Sequence, residues 1–597
     1  MTDLEHGGAT TRAGSASTAT ASRASLSQGH GLSTRGRRGL AIVSLLALAA
    51  VVRFLPLYWS PHPATLDGFQ YAWFASETLR TGALPISAFR VDSIVFTGLI
   101  TSVSAVVGVD ALRVTQPLSS LIGVFGVFTG VAVAHRVARG FDWPRRRVSA
   151  AVVATGAILA LNGVFLRRTM DSDEEVLFYV LLPLTLLALH VWLDDGSHTR
   201  RWAVPLGILL VTLPLAHIFS TLIAGLAIVG LVVAHAVQHP DRRTLLGGGA
   251  IAAGFWLYFG GYYQLAATVM QIAYVDRVVA FPGLFLAWGI VLVVGVAWVW
   301  TTSSRARSLA VVVPLGVFYL VTVVNAFVSV YPGTPQTPTL VLVPVAALAL
   351  PLLVGGVGMG LLTPHRSAGA IVVALLAGPL TVIGFSLTAS LTPEYVNTAI
   401  RAQTFGHLPL AMLAGLVIAR LLATRASLDA DSALGRSDSG SGSDSADGRS
   451  VLRTAAVALV LLMVVVSVPF AYLNLDTGTY PSTTLDSEFE AVGFASDAGD
   501  EWATDHSLSR VGIHYFRSDP TVSPTASWLS GGTSPTCRVL SQESWTTTGA
   551  HLFPFAPETV SEERYESWLG SRHVVYANTG RDPATVSLPV TAAGEGC

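Results

Sequence analysis

The residues best equipped for chemistry lie together in Arg167-Arg168-Thr169-Met170-Asp171-Ser172-Asp173-Glu174-Glu175, between two apolar runs that are each long enough to cross a bilayer. A turn joining two spanning helices needs only a few neutral polar residues, and charge at a membrane border is costly enough to mark function. Carboxylates offer oxygen ligands to a hard divalent cation, or a general base to a hydroxyl. Arginines beside them can grip a phosphate bidentately. The segment therefore reads as a site that handles a phosphate, a metal or both. The plain alternative is a solvated turn, with Glu175, and more weakly Glu174, only stabilising the start of the following helix.

Composition decides what must position these residues. Of 597 residues 51% are hydrophobic and 12% charged, the mean hydropathy is +0.57, and this excludes an ordinary soluble globular chain. Apolar runs of about 20 residues recur, each able to span as a helix, and no alternation suits a barrel. Residues 1–38 are Ser, Thr, Ala, Gly and Arg with almost no large apolar residue, so disorder is expected there. Arg35-Gly36-Arg37-Arg38 then holds the N-terminus in the cytoplasm. The run at 39–58 reads as an uncleaved first helix. Further spans are expected near 117–135, 148–165, 176–193, 202–216, 218–237, 246–264, 282–301, 309–329, 339–361, 368–388, 403–422 and 452–472, about thirteen with the first. The run at 94–108 is read as interfacial or re-entrant, inside a long first outer loop over 59–116.

This threading puts the arginine-rich loops, including Arg145-Arg146-Arg147, Arg242-Arg243 and a disordered linker at 424–450, in the cytoplasm. The transmembrane unit is then 39–473, and 474–597 forms a small extracytoplasmic α/β domain. That domain is acidic, with 16 Asp and Glu against 6 Arg over 476–597. A helix is expected over 486–504 and strands at 510–516 and 573–576. Its Cys537 and Cys597 form either one disulfide or two free thiols. The outer compartment also receives Asp67, Asp92, the Asp171 to Glu175 cluster, His217, Glu394 and Arg401, each from a separate loop. For His217 the competing reading is a hydrogen-bonded structural residue, and for Arg401 and Arg53 a snorkelling side chain.

Asp67-Gly68-Phe69-Gln70-Tyr71, followed by Glu77 and Thr81-Gly82, resembles the first outer loop of GT-C membrane glycosyltransferases, particularly oligosaccharyltransferase catalytic subunits. The Arg167 to Glu175 cluster, leading into Val176-Leu177-Phe178-Tyr179, is similar to their second acidic motif. The motif-level resemblance covers roughly residues 40–240. It implies a GT-C-like polytopic helical fold and sugar transfer from a polyprenyl or dolichyl phosphate. The outer domain lacks the W-W-D-Y-G signature of the oligosaccharyltransferases, and Tyr331 to Pro338 is too short for their long fifth outer loop. These departures favour transfer of a single sugar, best matched by an archaeal dolichol-phosphate-mannose mannosyltransferase that extends a glycan or glycoprotein at the cell surface.

Under this resemblance Asp67, Asp171, Asp173 and Glu174 are the catalytic candidates. Asp67, Asp171 and Asp173 are also the ligands for a divalent metal, Mn or Mg. Arg167, Arg168, Arg401, His217, Tyr71, Asp92 and Glu394 are the substrate-binding candidates. The expected partners are the membrane lipid, the lipid-linked donor and the acceptor, with no nucleic acid. The competing class is a transporter or flippase of a lipid-linked sugar or small solute. Carriers place ionisable residues near the bilayer midplane and often show internal repeats; the charges here gather at the border.

Overall fold

The computed structural model of the protein describes residues 34–194, 199–270, 272, 275–330, 336–363, 368–433, 443–473, 483–499, 501–552, 557–590 and 597. Among them, 11 helices are long and apolar enough to cross a membrane, or 12 if a bent pair counts as one span. The thirteen expected runs all fall on helices. Two differ in kind from a straight span: 148–165 is the bent pair Arg145–Leu161 and Gly163–Met170, turned by 66°, and 202–216 is the shorter Arg201–Ala216. The run at 94–108 is the short helix Ile94–Val107. The protein is thus a polytopic α-helical membrane protein with a small sheet near its C-terminus.

The helix expected from residue 39 starts at Thr34 and runs to Phe54; of the disordered segment 1–38, residues 1–33 lie outside the described residues. The helix Pro393–Ala433 runs into the expected linker, and the next begins at Ser443. Most of Tyr331 to Pro338, together with 474–482, lies outside the described residues.

A buried frame near the bend positions the site. Arg53 is 0% exposed, which corrects the snorkelling expectation. Its guanidinium donates to Thr169 Oγ1 and to the carbonyls of Leu159, Ala160 and Ala49, so it satisfies carbonyls that the end of helix Arg145–Leu161 leaves without partners. Asn162 caps the next helix by accepting from Phe165 N. Gly123 lets the helix Ala111–Arg139 press against this bend, since a Cβ there would stand 1.7 Å from the Thr169 carbonyl oxygen.

In the C-terminal region, strands β1 (Val539–Gln542), β2 (Arg572–Ala577) and β3 (Ala584–Pro589) form an antiparallel sheet in the order β1-β3-β2. The helix expected over 486–504 is Asp486–Asp497, and the strand expected at 573–576 is β2. The strand expected at 510–516 is instead helical: His506–Val511 leads into a wide turn at Gly512–Phe516. Asp505 starts that helix by accepting from Leu508 N at 3.1 Å, and this local cap outweighs the β preference of Val511, Ile513, Tyr515 and Phe516. Cys537 and Cys597 are joined in a disulfide. The region seats on the first loop: Phe69, Ala72 and Leu112 share a core with Ala491, Val492 and Trp502.

Candidate active site

Thr65 caps the helix Leu66–Thr81 by accepting from Gly68 N, and so sets Asp67 in its first turn. The Thr65 hydroxyl also donates to the carbonyl of Ser172 at 3.1 Å. Gly68 lies against Ser172 so closely that a Cβ would come 2.8 Å from Ser172 Cβ and 2.5 Å from Pro63 Cβ. A buried glutamine fastens both loops. Gln116 donates to the Met170 carbonyl at 2.8 Å, accepts from Ala64 N at 2.8 Å, and accepts from the Ser172 hydroxyl. The first acidic loop and the second therefore meet, which the sequence leaves open.

At this junction Asp67 is exposed and Asp173 half-buried. The two carboxylates repel one another, and neither has an ion-pair partner among the described residues. Burial pushes Asp173 up to about 7, with Arg401 opposing and Glu175 and Asp67 adding to the rise. Asp171 is raised by burial against the pull of Arg167 and Arg168, and its carboxylate lies 4.0 Å from Arg168. His514 of the C-terminal region holds the Leu66 carbonyl at 3.0 Å, beside Asp67.

Deeper lies a second group. Arg90 reaches Asp92 and Glu174, each at 3.4 Å, and His217 Nε2 lies 4.0 Å from Glu174. Glu175 is held by Arg401 at 2.7 Å, and the Arg401 guanidinium covers the Phe219 ring. Tyr179 shares a hydrogen bond with Thr404, which donates to the Arg401 carbonyl.

Asp92, Glu174 and His217 offer three ligand atoms within 4.8 Å of one another, but their surroundings do not fit a cation. The guanidinium of Arg90 already supplies positive charge. His217 Nδ1 is engaged by Ser220, through its hydroxyl at 2.7 Å and its N–H at 3.4 Å, so the imidazole is held within its own turn. Asp67 and Asp173 are oxygen donors of like charge at a more accessible edge, the donor type that a hard ion such as Mn or Mg takes.

Beside the junction opens a largely apolar cavity of about 1060 Å³ between the spans Ser304–Asn325, Thr339–Leu361, Gly369–Ala389 and Pro393–Leu422. Leu66, Arg167 and His551 line it, as do Glu394 and Arg277. The remaining candidates separate accordingly. Arg167 is on the cavity wall, Arg168 on the Asp171 side, and Arg401 faces Glu175. Glu394 is exposed at the cavity and stands apart from the acidic junction. Tyr71 is fully buried, edge-on to Phe96, so its ring is part of the core. Gln116 and Arg90 were missed. The only signal for Gln116 was an amide at the edge of a long apolar run, and for Arg90 a basic residue two before Asp92.

No protein-family model matches the chain, and no curated protein matches it in sequence. Among solved structures, the Archaeoglobus fulgidus oligosaccharyltransferase in its apo form aligns over 85% of this chain and 70% of its own, with 13% identity and a TM-score of 0.51. The same enzyme tethered with an acceptor peptide containing the NVT sequon aligns over 85% and 69%, at 13% identity and a TM-score of 0.50. ArnT from Cupriavidus metallidurans bound to undecaprenyl phosphate covers 93% and 99%, at 13% identity and a TM-score of 0.38. The likeness to the oligosaccharyltransferase is one of fold: the chain has the GT-C membrane fold.

Proposed function

We propose that this protein is a GT-C glycosyltransferase that moves a sugar from a polyprenyl or dolichyl phosphate to a glycan or glycoprotein acceptor at the outer face of the cell membrane. The observation that supports it most is the contact of Gly68 with Ser172, which sets Asp67 and Asp173 together at the edge of an apolar cavity whose wall includes Arg167. Such a cavity suits an isoprenoid chain, with the phosphate at the polar end.

In the reaction, the acceptor hydroxyl attacks the anomeric carbon. The new carbon–oxygen bond forms as the bond to the phosphate oxygen breaks, and the lipid phosphate leaves with the electron pair. Arg167 binds that phosphate, and Arg168 fixes Asp171 beside it. Asp67, the most exposed of the carboxylates, takes the hydroxyl proton or serves as a ligand. A divalent cation held by Asp67 and Asp173, with Asp171 adjacent, would neutralise charge on the leaving phosphate. Glu174, Asp92 and His217 act from behind, through Arg90, to hold the loop.

Mannose as the sugar, dolichol as the carrier, archaeal origin and a cytoplasmic N-terminus complete the reading. The arginine-rich loops support that orientation. A deletion strain tests the function: its surface glycans should lack one terminal sugar, restored by the wild-type gene and not by Asp67→Ala. Unchanged glycans would refute it. Lipid scrambling by purified protein without sugar transfer would favour a carrier instead.

A further inference from the structure

One span holds the chain on both sides of the chemistry. The helix Pro393–Ala433 grips Glu175 through Arg401 at 2.7 Å and shares a hydrogen bond with Tyr179 through Thr404 at 2.9 Å. Three residues further along, His407 Nδ1 lies 2.9 Å from Asn162 Oδ1. Arg401, Thr404 and His407 follow one another at the i, i+3 spacing of helix neighbours, over about 9 Å of helix. Asn162 and Glu175 bracket Arg167, Arg168, Asp171 and Asp173 in the chain. The cavity-wall arginine and the acidic residues are therefore strung between two points of a single helix.

The bond at the Asn162 end has one polarity only. Asn162 Oδ1 also accepts from Phe165 N at 3.0 Å, which identifies it as the amide oxygen and makes His407 Nδ1 the donor. Asn162 is 2% exposed and His407 3%, so the bond lies away from bulk water. Asn162 stands at the 66° bend between Arg145–Leu161 and Gly163–Met170, and the second of these helices carries Arg167. Ser467 fastens the bend from another span, accepting from Gly163 N at 3.1 Å. With the cap amide held by His407, the direction of the short helix is set, and with it the seat of Arg167. His407, Val164 and Arg167 line the same cavity. Loss of the imidazole leaves Asn162 Oδ1 still paired with Phe165 N, so its cost falls on alignment more than on folding.

We propose that His407 is a positioning residue for the lipid-phosphate sugar donor, acting through Asn162 to hold Arg167 against the phosphate. The inference rests on the reading of Arg167 as a phosphate ligand, and adds what keeps that arginine in place.

Initial rates of transfer are measured with the full-length protein in nanodiscs, varying the polyprenyl phosphosugar and the glycan acceptor in turn. In asparagine the amide nitrogen stands where Nδ1 does, and in glutamine where Nε2 does. His407→Leu and His407→Gln are expected to raise the KM for the sugar donor roughly tenfold, the worth of one buried hydrogen bond, with the acceptor KM unmoved. His407→Asn should recover to within about threefold of wild type. In an Arg167→Gln background, where the donor KM is already raised, His407→Leu should add less than about twofold, because it acts through the arginine. Should the leucine variant not insert, the contrast between glutamine and asparagine carries the test. A wild-type donor KM in His407→Gln with a raised one in His407→Asn overturns the proposal, because Nε2 then touches the donor directly. Wild-type values in the leucine and glutamine variants overturn it too, as does a joint rise of donor and acceptor KM, which marks a general loss of structure. No response of the donor KM to Arg167→Gln alone refutes the phosphate reading and this inference with it; a response to Arg167→Gln with none to His407→Leu refutes the positioning role alone.

Discussion

Gln116 offers the sharpest test of how the two acidic loops are held together. Its amide makes three bonds across the junction, to Met170, Ala64 and Ser172, from a side chain with no solvent exposure. In Gln116→Met the volume is nearly kept, but one carbonyl, one N–H and one hydroxyl lose their partner. At about 1 kcal/mol net for each neutral hydrogen bond, the docked arrangement should weaken by about 3 kcal/mol. A shift of about 1 Å between Asp67 and Asp173 would then lower sugar transfer on the order of 100-fold. The assay is initial rate of transfer from a polyprenyl phosphosugar by protein in nanodiscs. Ser119→Ala on the same helix, which loses only a bond to Thr115 one turn back, should leave the rate unchanged. If Gln116→Met transfers sugar at the wild-type rate, the two-loop junction is not what aligns the site.

Other perturbations test separate parts. Arg401→Gln removes the partner of Glu175, which is 2% exposed; thermal unfolding should show a loss of about 3–5 kcal/mol, largely restored by adding Glu175→Gln. In the C-terminal region Asp505 is fixed by Leu508 N, His551 N and Trp545 Nε1, and burial pushes it up to about 6 from 3.8. Folding therefore favours its protonated form, and the stability this gives is full below pH 3.8 and lost as pH rises through 6. The stability of Asp505→Asn relative to wild type should accordingly rise by about 2 kcal/mol between pH 4 and pH 7, read by tryptophan fluorescence during denaturation; a constant difference would refute the shift. Cys597→Ser opens a disulfide that bridges 60 residues, and should cost about 4 kcal/mol of stability while leaving one thiol reactive to alkylation in the denatured chain.

What the sequence made legible follows from the strength of each signal. A hydrocarbon layer demands about 20 apolar residues per span, so runs such as 282–301 and 368–388 could hardly be read otherwise, and they lie on helices Pro282–Thr301 and Gly369–Ala389. The bend between Leu161 and Gly163 was hidden, because Asn162 interrupts the run without looking like a break. Sidedness brought Asp67 and the Arg167 to Glu175 cluster into one compartment, but their contact depends on Gly68 and Gln116, and a sequence shows neither a missing Cβ nor the direction of a buried amide. Pairings such as Arg401 with Glu175, 226 positions apart, have no local signature. The misread stretch 510–516 shows the opposite failure: its alternating apolar residues were visible, whereas the Asp505 cap just upstream decided the outcome.

The most direct test is transfer by the purified protein itself. Labelled sugar on a polyprenyl phosphate is incubated with a glycan acceptor and with wild-type, Asp67→Asn or Asp173→Asn protein, each confirmed to be inserted and folded. The account predicts labelled acceptor from wild type and at least a 100-fold lower rate from both variants, roughly what loss of a positioned acid–base group costs. Wild-type rates in both variants, or no transfer by the wild type from any lipid phosphosugar, would contradict it.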